Sequence, residues 1–380
     1  MTRALFTLAL ALALALTGLS ARTAHAYPQF QLSYDQTCSG CHVSPAGGNL
    51  LNENGLAVAE SMSQLGTAPE FFYGKVGGPK WLQLGGDIRM ASGYLQTPSK
   101  VLVTIPMQIE AYGAATFGAF SIHANFGPRP TTPGNEAATS VWAREHYLMW
   151  KSNADDHLGL FVRAGRFMPV YGLRLAEHPT YIRRYGGTQL YGDTYGLHAA
   201  FVQSKFEGHV TGFIQDPLID TVSKDSGAYA YGEYRLSEQL SVGAEAMYTH
   251  SADDQKFGGG GVIKAYVPSK DLLFQGELQY QNQLITKSSL NSAGGAPIRL
   301  IGYFLASWHP KPFLMLDLGL GHYDSNVRIK DLDRDCIDLN VHWFATSHLE
   351  LILTNRYEML AFGNGGPSAA YSLLQVHYRL

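Results

Sequence analysis

The stretch "DCIDLNVHWF", residues 335–344, places Ile337, Leu339, Val341 and Trp343 on one face of an extended chain. Asp338, Asn340 and His342 fall on the other. A period of two with one apolar face is a β-strand. The pattern recurs. In "WLQLGGDIRM" (81–90), Leu82, Leu84, Ile88 and Met90 oppose Gln83, Asp87 and Arg89. In "DLLFQGELQY" (271–280), Leu272, Phe274, Leu278 and Tyr280 oppose Gln275, Glu277 and Gln279. A soluble sandwich would hide the apolar face, whereas a transmembrane barrel turns it to lipid and turns the polar face to the lumen. Length separates the two. These segments run about 10 to 14 residues, against five or six for ordinary globular strands. That suits a tilted span across roughly 30 Å of hydrocarbon.

Sixteen segments follow this pattern: roughly 80–95, 101–115, 117–127, 139–151, 157–168, 189–203, 205–215, 227–236, 239–250, 257–267, 271–284, 297–308, 312–323, 333–345, 348–359 and 368–380. Short connections such as "QSK", "VPSKD", "HPKP" and "ATSH" mostly alternate with longer ones. That is the barrel habit of short periplasmic turns and longer outer loops, and an even count leaves both termini in the periplasm. The chain ends "LLQVHYRL", with Leu374, Val376, Tyr378 and Leu380 alternating to the last residue. A sheet in lipid must close, because an open edge would leave unpaired backbone groups. The expected fold is all-β: a transmembrane antiparallel β-barrel of about 16 strands over residues 79–380. Composition agrees, with 22 Tyr, 18 Phe and 41 Gly but only 16% charged residues. A net charge of −3 offers nothing to nucleic acid, and no stretch of about 18 apolar residues exists beyond the leader.

Residues 1–26 read as a signal peptide. Arg3 gives a positive start, Leu5 to Leu16 an apolar run, and Ala24-His25-Ala26 a small-x-small cleavage site. The expected location is the outer membrane of a Gram-negative bacterium.

Between leader and barrel lies "CSGCH", residues 38–42, which uses two of the 3 cysteines. A CxxC can be a redox disulfide or half of a zinc site. The first wants a βαβ setting that is absent here. The second wants further nearby ligands, and the third cysteine, Cys336, lies in a late strand. Histidine directly after the second cysteine, in an exported chain, points to covalent haem c. Cys38 and Cys41 would form the thioethers and His42 would be the proximal iron ligand. Pro45 and Gly47-Gly48 make a turn that can pass the haem edge. A helix is expected from about Asn52 to Leu65, with Leu51, Val58, Met62 and Leu65 nearly on one face. Met62 is a candidate distal ligand, and equally a packing residue of that face. His123, His146, Met247 and His342 are further luminal candidates. Residues 27–78 are too few to bury a haem well without a partner, so the segment is expected to lie within or across the inner mouth.

A leader, one CxxCH in a small Gly-rich segment and a sixteen-stranded porin in one chain resembles the fused outer-membrane cytochrome c–porin family, best known from iron-oxidising bacteria. "CHVSPAGGNLLNENG" (41–55) is also similar to the small cytochrome segments of such proteins. The resemblance implies single-haem electron transfer across the outer membrane. The partners it implies are a periplasmic cytochrome or other redox carrier and an extracellular electron donor or acceptor, ferrous iron among them. No bonds are made, so no acid–base pair is expected. The alternative is an outer-membrane diffusion porin with an N-terminal plug or disulfide clip and no haem. A haem peroxidase or sensor would instead want an open distal site.

One loop stands apart. "GRFMPVYGLRLAEHPTYIRRYGG" (165–187) carries Arg166, Arg174, His178, Arg183 and Arg184. It falls third among the outer loops, a position that folds inward in many porins. It reads as a basic constriction or a docking surface for an anion or the haem propionates, or else as an ordinary charged loop.

Overall fold

The computed structural model describes residues 31–32, 37–96, 99–128, 141–217, 225–252, 254–285, 296–360 and 368–380. The leader therefore lies outside the described residues, as does the turn at Thr97-Pro98.

Sixteen antiparallel strands form one closed sheet. In chain order they are β1 (Leu82–Gln96), β2 (Lys100–Phe117), β3 (Phe120–Pro128), β4 (Val141–Trp142 and His146–Lys151, both paired to β3), β5 (Gly159–Phe167), β6 (Thr194–Val202), β7 (Phe206–Phe213) and β8 (Ser226–Ser237). They continue as β9 (Leu240–His250), β10 (Asp254–Val267), β11 (Leu272–Ile285), β12 (Ile298–Lys311), β13 (Leu314–Asp324), β14 (Asp333–Phe344), β15 (Leu349–Leu360) and β16 (Ser368–Arg379). Each strand pairs with its sequence neighbours, and β1 pairs with β16 from Asp87↔Arg379 to Gln96↔Ala370. That last ladder removes the sheet edge.

Burial is inverted relative to a soluble protein. Ile337, Leu339, Leu353, Leu374 and Val376 are 40–54% exposed, while Asp87, Glu277, Asp338, Glu350 and Arg356 are 2–5% exposed. Exposed aromatics gather near both rims. Trp81, Phe117, Phe120, Trp308 and Trp343 sit toward the short-turn end, and Tyr94, Tyr248, Phe257, Tyr280 and Tyr357 toward the other. An apolar belt with aromatic girdles is the surface of a barrel in a bilayer.

Inside, many of the buried charges are held in pairs, which offsets the cost of burial. Arg356 and Asp338 meet at 2.6 Å, Lys264 and Glu233 at 2.5 Å. His377 is held between Asp87 (2.9 Å) and Glu350 (3.1 Å).

Two non-strand segments fill the lumen from opposite ends. The N-terminal segment docks at the short-turn end, periplasmic in bacterial barrels. It carries helices α1 (Cys38–Cys41) and α2 (Glu53–Met62) and a 3-10 turn at Phe71–Gly74. Its chain beyond α2 clips onto the β14–β15 turn: Gln64 N donates to Phe344 O (2.9 Å), Leu65 N to Ala345 O (3.3 Å), and the Thr67 and Ser347 hydroxyls bond at 2.8 Å. His348 Nε2 lies 2.8 Å from Ala68 O. Farther in, Leu32 packs on Tyr266 and Leu273, and Lys264 Nζ donates to Gln31 Oε1 (2.5 Å). The segment thus lies in the inner mouth, as its small size led one to expect.

The loop joining β5 to β6 enters from the other end and carries α3 (Tyr181–Arg184). Val170, Leu173, Leu175, Tyr181 and Ile182 pack against wall residues including Tyr231, Ile301, Tyr303 and Tyr323. This is the inward fold expected of the third outer loop.

Candidate functional site

Helix α1 is a single turn. Residues three apart on a helix lie side by side, so Cys38 and Cys41 present both sulfurs to one side, and His42 caps the turn. The following chain locks this turn. Asn52 caps α2 by accepting from Gly55 N (2.9 Å), and its Nδ2 donates to Ser39 O (3.0 Å). Asn54 Nδ2 donates to Gly40 O (2.9 Å) and reaches Cys41 Sγ at 3.6 Å. Asn52 N donates to Cys41 O (3.0 Å). Gly55 is packed so closely that a Cβ would stand 2.1 Å from Cys41 O. Helix α2 runs ten residues, Glu53–Met62, shorter than the expected 52–65 because Ser63 turns the chain out to meet β14.

Between this plug and the infolded loop lies a cavity of about 420 Å³, within the size range of cofactor sites. Cys38, Cys41, His42, Gly47, Gly48 and Met62 belong to its plug side. Both glycines have positive φ (+84° and +113°), with open space where a Cβ would stand. Arg174, His178 and Arg183 belong to its loop side, and Arg89, Arg144, Arg163 and Arg379 come from the wall. Burial pushes the Cys38 thiol up to about 11 and the Cys41 thiol up to about 12. Reactive redox thiols are held low instead. Burial also pushes His178 down to about 4, keeping its ring neutral.

The residues singled out in the loop divide. Arg174, His178 and Arg183 face the cavity. Arg174 pairs with Glu207 and donates to Pro45 O (3.2 Å), tying loop to plug. Arg183 donates to Leu175 O (2.9 Å), Ala176 O (3.1 Å) and Thr188 O (3.2 Å), stapling its own loop. Arg166 is not on the cavity. It is 1% exposed, pairs with Asp216 (2.9 Å) and donates to Asp193 O (3.0 Å), anchoring the base of the loop. Arg184 is half exposed and 3.8 Å from Glu358.

The four wall candidates for iron do not line the cavity either. His123 bonds Ser121 (2.8 Å), His146 bonds Tyr195 (3.0 Å), and His342 is clasped by Glu350 (3.0 Å) and Asp317 (3.4 Å). Met247 packs with Tyr171, Phe213 and Tyr229. Met62 borders the cavity and packs with Cys41, Val58, Met315 and Phe344.

Sequence reading missed the Asn52–Asn54–Gly55 clamp and the wall arginines Arg89, Arg144 and Arg163. "NENG" signals a capped helix start, but not that the same side chains hold a turn a dozen residues earlier. The arginines come from strands distant in sequence.

Two outcomes follow. Gly55→Ala forces Cys41 and α2 apart, and overpacking of this kind costs about 1–3 kcal/mol; the expected result is faster proteolysis of the segment before Gly78 with an unchanged barrel. Asp216→Ala leaves the Arg166 guanidinium buried without its carboxylate, at a cost of about 3–5 kcal/mol. The infolded loop should gain hydrogen exchange while the strands keep theirs.

No protein-family model and no curated protein matches this sequence. Solved structures do match its fold. OmpT of Vibrio cholerae aligns with a TM-score of 0.62 at 10% identity, over 80% of this chain and 100% of that one. OprB of Pseudomonas putida gives 0.60 at 11%, over 79% and 94%. The anion-selective porin of Comamonas acidovorans gives 0.55 at 12%, over 79% and 99%. The chain therefore has the fold of an outer-membrane porin.

Proposed function

We propose that the chain is a single-haem electron conduit of the outer membrane. The observation that carries this reading is the placement of "CSGCH" on the wall of a cofactor-sized cavity within the barrel. The donor set fits covalent haem c. Two neutral thiols sit one helical turn apart beside a histidine, and arginines suited to carboxylate groups border the same space. When bound, the haem supplies reversible one-electron exchange at iron.

The chain's residues do the rest. Cys38 and Cys41 would fix the group covalently, and His42 would hold its iron. Arg174 and Arg183, though engaged by protein partners, border the same cavity and would bring positive charge beside the group. Clustered guanidinium charge opposes the extra positive charge of the oxidised state, which raises the potential. The plug and the infolded loop bound the cavity and would hold the redox centre inside the wall, between an external donor or acceptor and a periplasmic carrier.

A second reading is a diffusion porin whose N-terminal segment is only a plug. The porin neighbours favour it, because they share this barrel. One experiment separates the readings: a haem stain of the denatured protein, expressed with cytochrome c maturation, with a pyridine haemochrome spectrum. The conduit gives one haem c per chain. A colourless full-length barrel establishes the plugged porin.

A further inference from the structure

We propose that the imidazole of His178 is the second axial ligand of the iron, reaching it from the infolded loop while His42 reaches it from the plug. The inference rests on the haem reading above and deepens it. His42 and His178 border the same cavity but belong to segments that enter the lumen from opposite ends. Three cavity-lining histidines are found among the described residues: His42, His178 and His377. His377 is committed, with Nε2 on Asp87 (2.9 Å) and Nδ1 on Glu350 (3.1 Å). The His178 ring makes no hydrogen bond among the described residues.

The backbone around His178 is held firmly. Arg356 donates to Pro179 O on one side, and Arg183 grips Leu175 O and Ala176 O on the other. Thr180 folds back on Glu177, with its hydroxyl 2.8 Å and its N–H 3.2 Å from Glu177 O. A side chain presented by so tied a loop is preorganised, which is what a ligand position needs. Met62 is occupied differently. It sits in the apolar cluster with Cys41, Val58, Met315 and Phe344, on the plug's own side of the cavity. A loop histidine also gives the infolded loop a task beyond constriction, since iron coordination would join plug and loop across the cavity.

The test uses the full-length haem-loaded protein and reads its spectrum. Wild type should be low-spin in the ferric state and lack the sulfur-to-iron charge-transfer band. His178→Ala should keep covalent haem, become high-spin, bind carbon monoxide readily when reduced, and return to low spin on addition of imidazole. His178→Met should acquire the sulfur band and a higher midpoint potential. It decides alone if the alanine variant fails to assemble. A low-spin spectrum unchanged in both variants overturns the assignment. So does loss of the low-spin spectrum in Met62→Ala but not in His178→Ala, which would give the position to Met62. A wild-type protein with no covalent haem overturns the conduit itself, an outcome read from the stain rather than from the spectra of the variants.

Discussion

Replacing Cys38 and Cys41 together by alanine is expected to remove every trace of covalent haem and leave the barrel standing. The two sulfurs are the only thioether donors within α1, whereas the barrel is held by its strand ladders and buried ion pairs. Cys41 packs with Val58, Met62, Met315 and Phe344, so its truncation opens a small hole costing about 1 kcal/mol. That is too little to unfold a closed sheet. The variant should lose the haem stain and all visible absorbance but keep the heat-modifiable gel migration of a folded barrel. Haem content equal to wild type would sink the conduit reading, because the group would then be held elsewhere.

Deleting residues 27–78 should convert a poorly conducting protein into an open channel. The plug is held at the rim by bonds from Gln64, Leu65, Thr67 and Ala68 to the β14–β15 turn, and farther in by Lys264 on Gln31 and Arg174 on Pro45 O, while the barrel ladders do not depend on it. The wall behind it is largely polar, and water can replace the plug there, with Met315, Phe344, Tyr266 and Leu273 the apolar wall residues that lose its cover. The opened lumen should prefer anions. Arg89, Arg144, Arg163, Arg174, Arg183 and Arg379 border the cavity against Asp87, Glu110 and Glu145, six cationic groups to three anionic. Planar-bilayer recording measures both conductance and reversal potential. Equal conductance with and without the segment would show a plug that is merely tethered.

The barrel was legible because its signal is repeated and local. Each strand writes its own alternation, and all sixteen expected segments correspond to strands, with ends that differ by a few residues. The sixth began late, at Thr194 rather than near residue 189, because the infolded loop keeps Gln189 to Asp193. The "CSGCH" turn was legible for the same reason, being five consecutive residues. What could not be read were pairings between distant positions. Arg166 looked like a constriction residue until Asp216, fifty residues on, was found to hold it. His123, His146 and His342 were correctly placed on the luminal face, yet each already has a partner there. Alternation tells which way a side chain points, not what meets it.

The enclosure of Cys38 and Cys41 has a consequence for biogenesis. Their sulfurs open onto a chamber bounded by plug, loop and wall, and a macrocycle cannot be threaded into such a chamber once the sheet is shut. On the haem reading proposed above, attachment would therefore come first, on a chain that is still extended in the periplasm. The connectivity leaves time for this. The seam that completes the cylinder joins the first strand, Leu82–Gln96, to the last, Ser368–Arg379. The cylinder cannot shut before the final residues have been exported, long after the motif has emerged. On that reading maturation is ordered by topology: ligation, then winding of the sheet around the cofactor, then insertion. On the same reading a chain that winds too early would be sealed without iron, beyond repair by any later encounter with the ligation machinery.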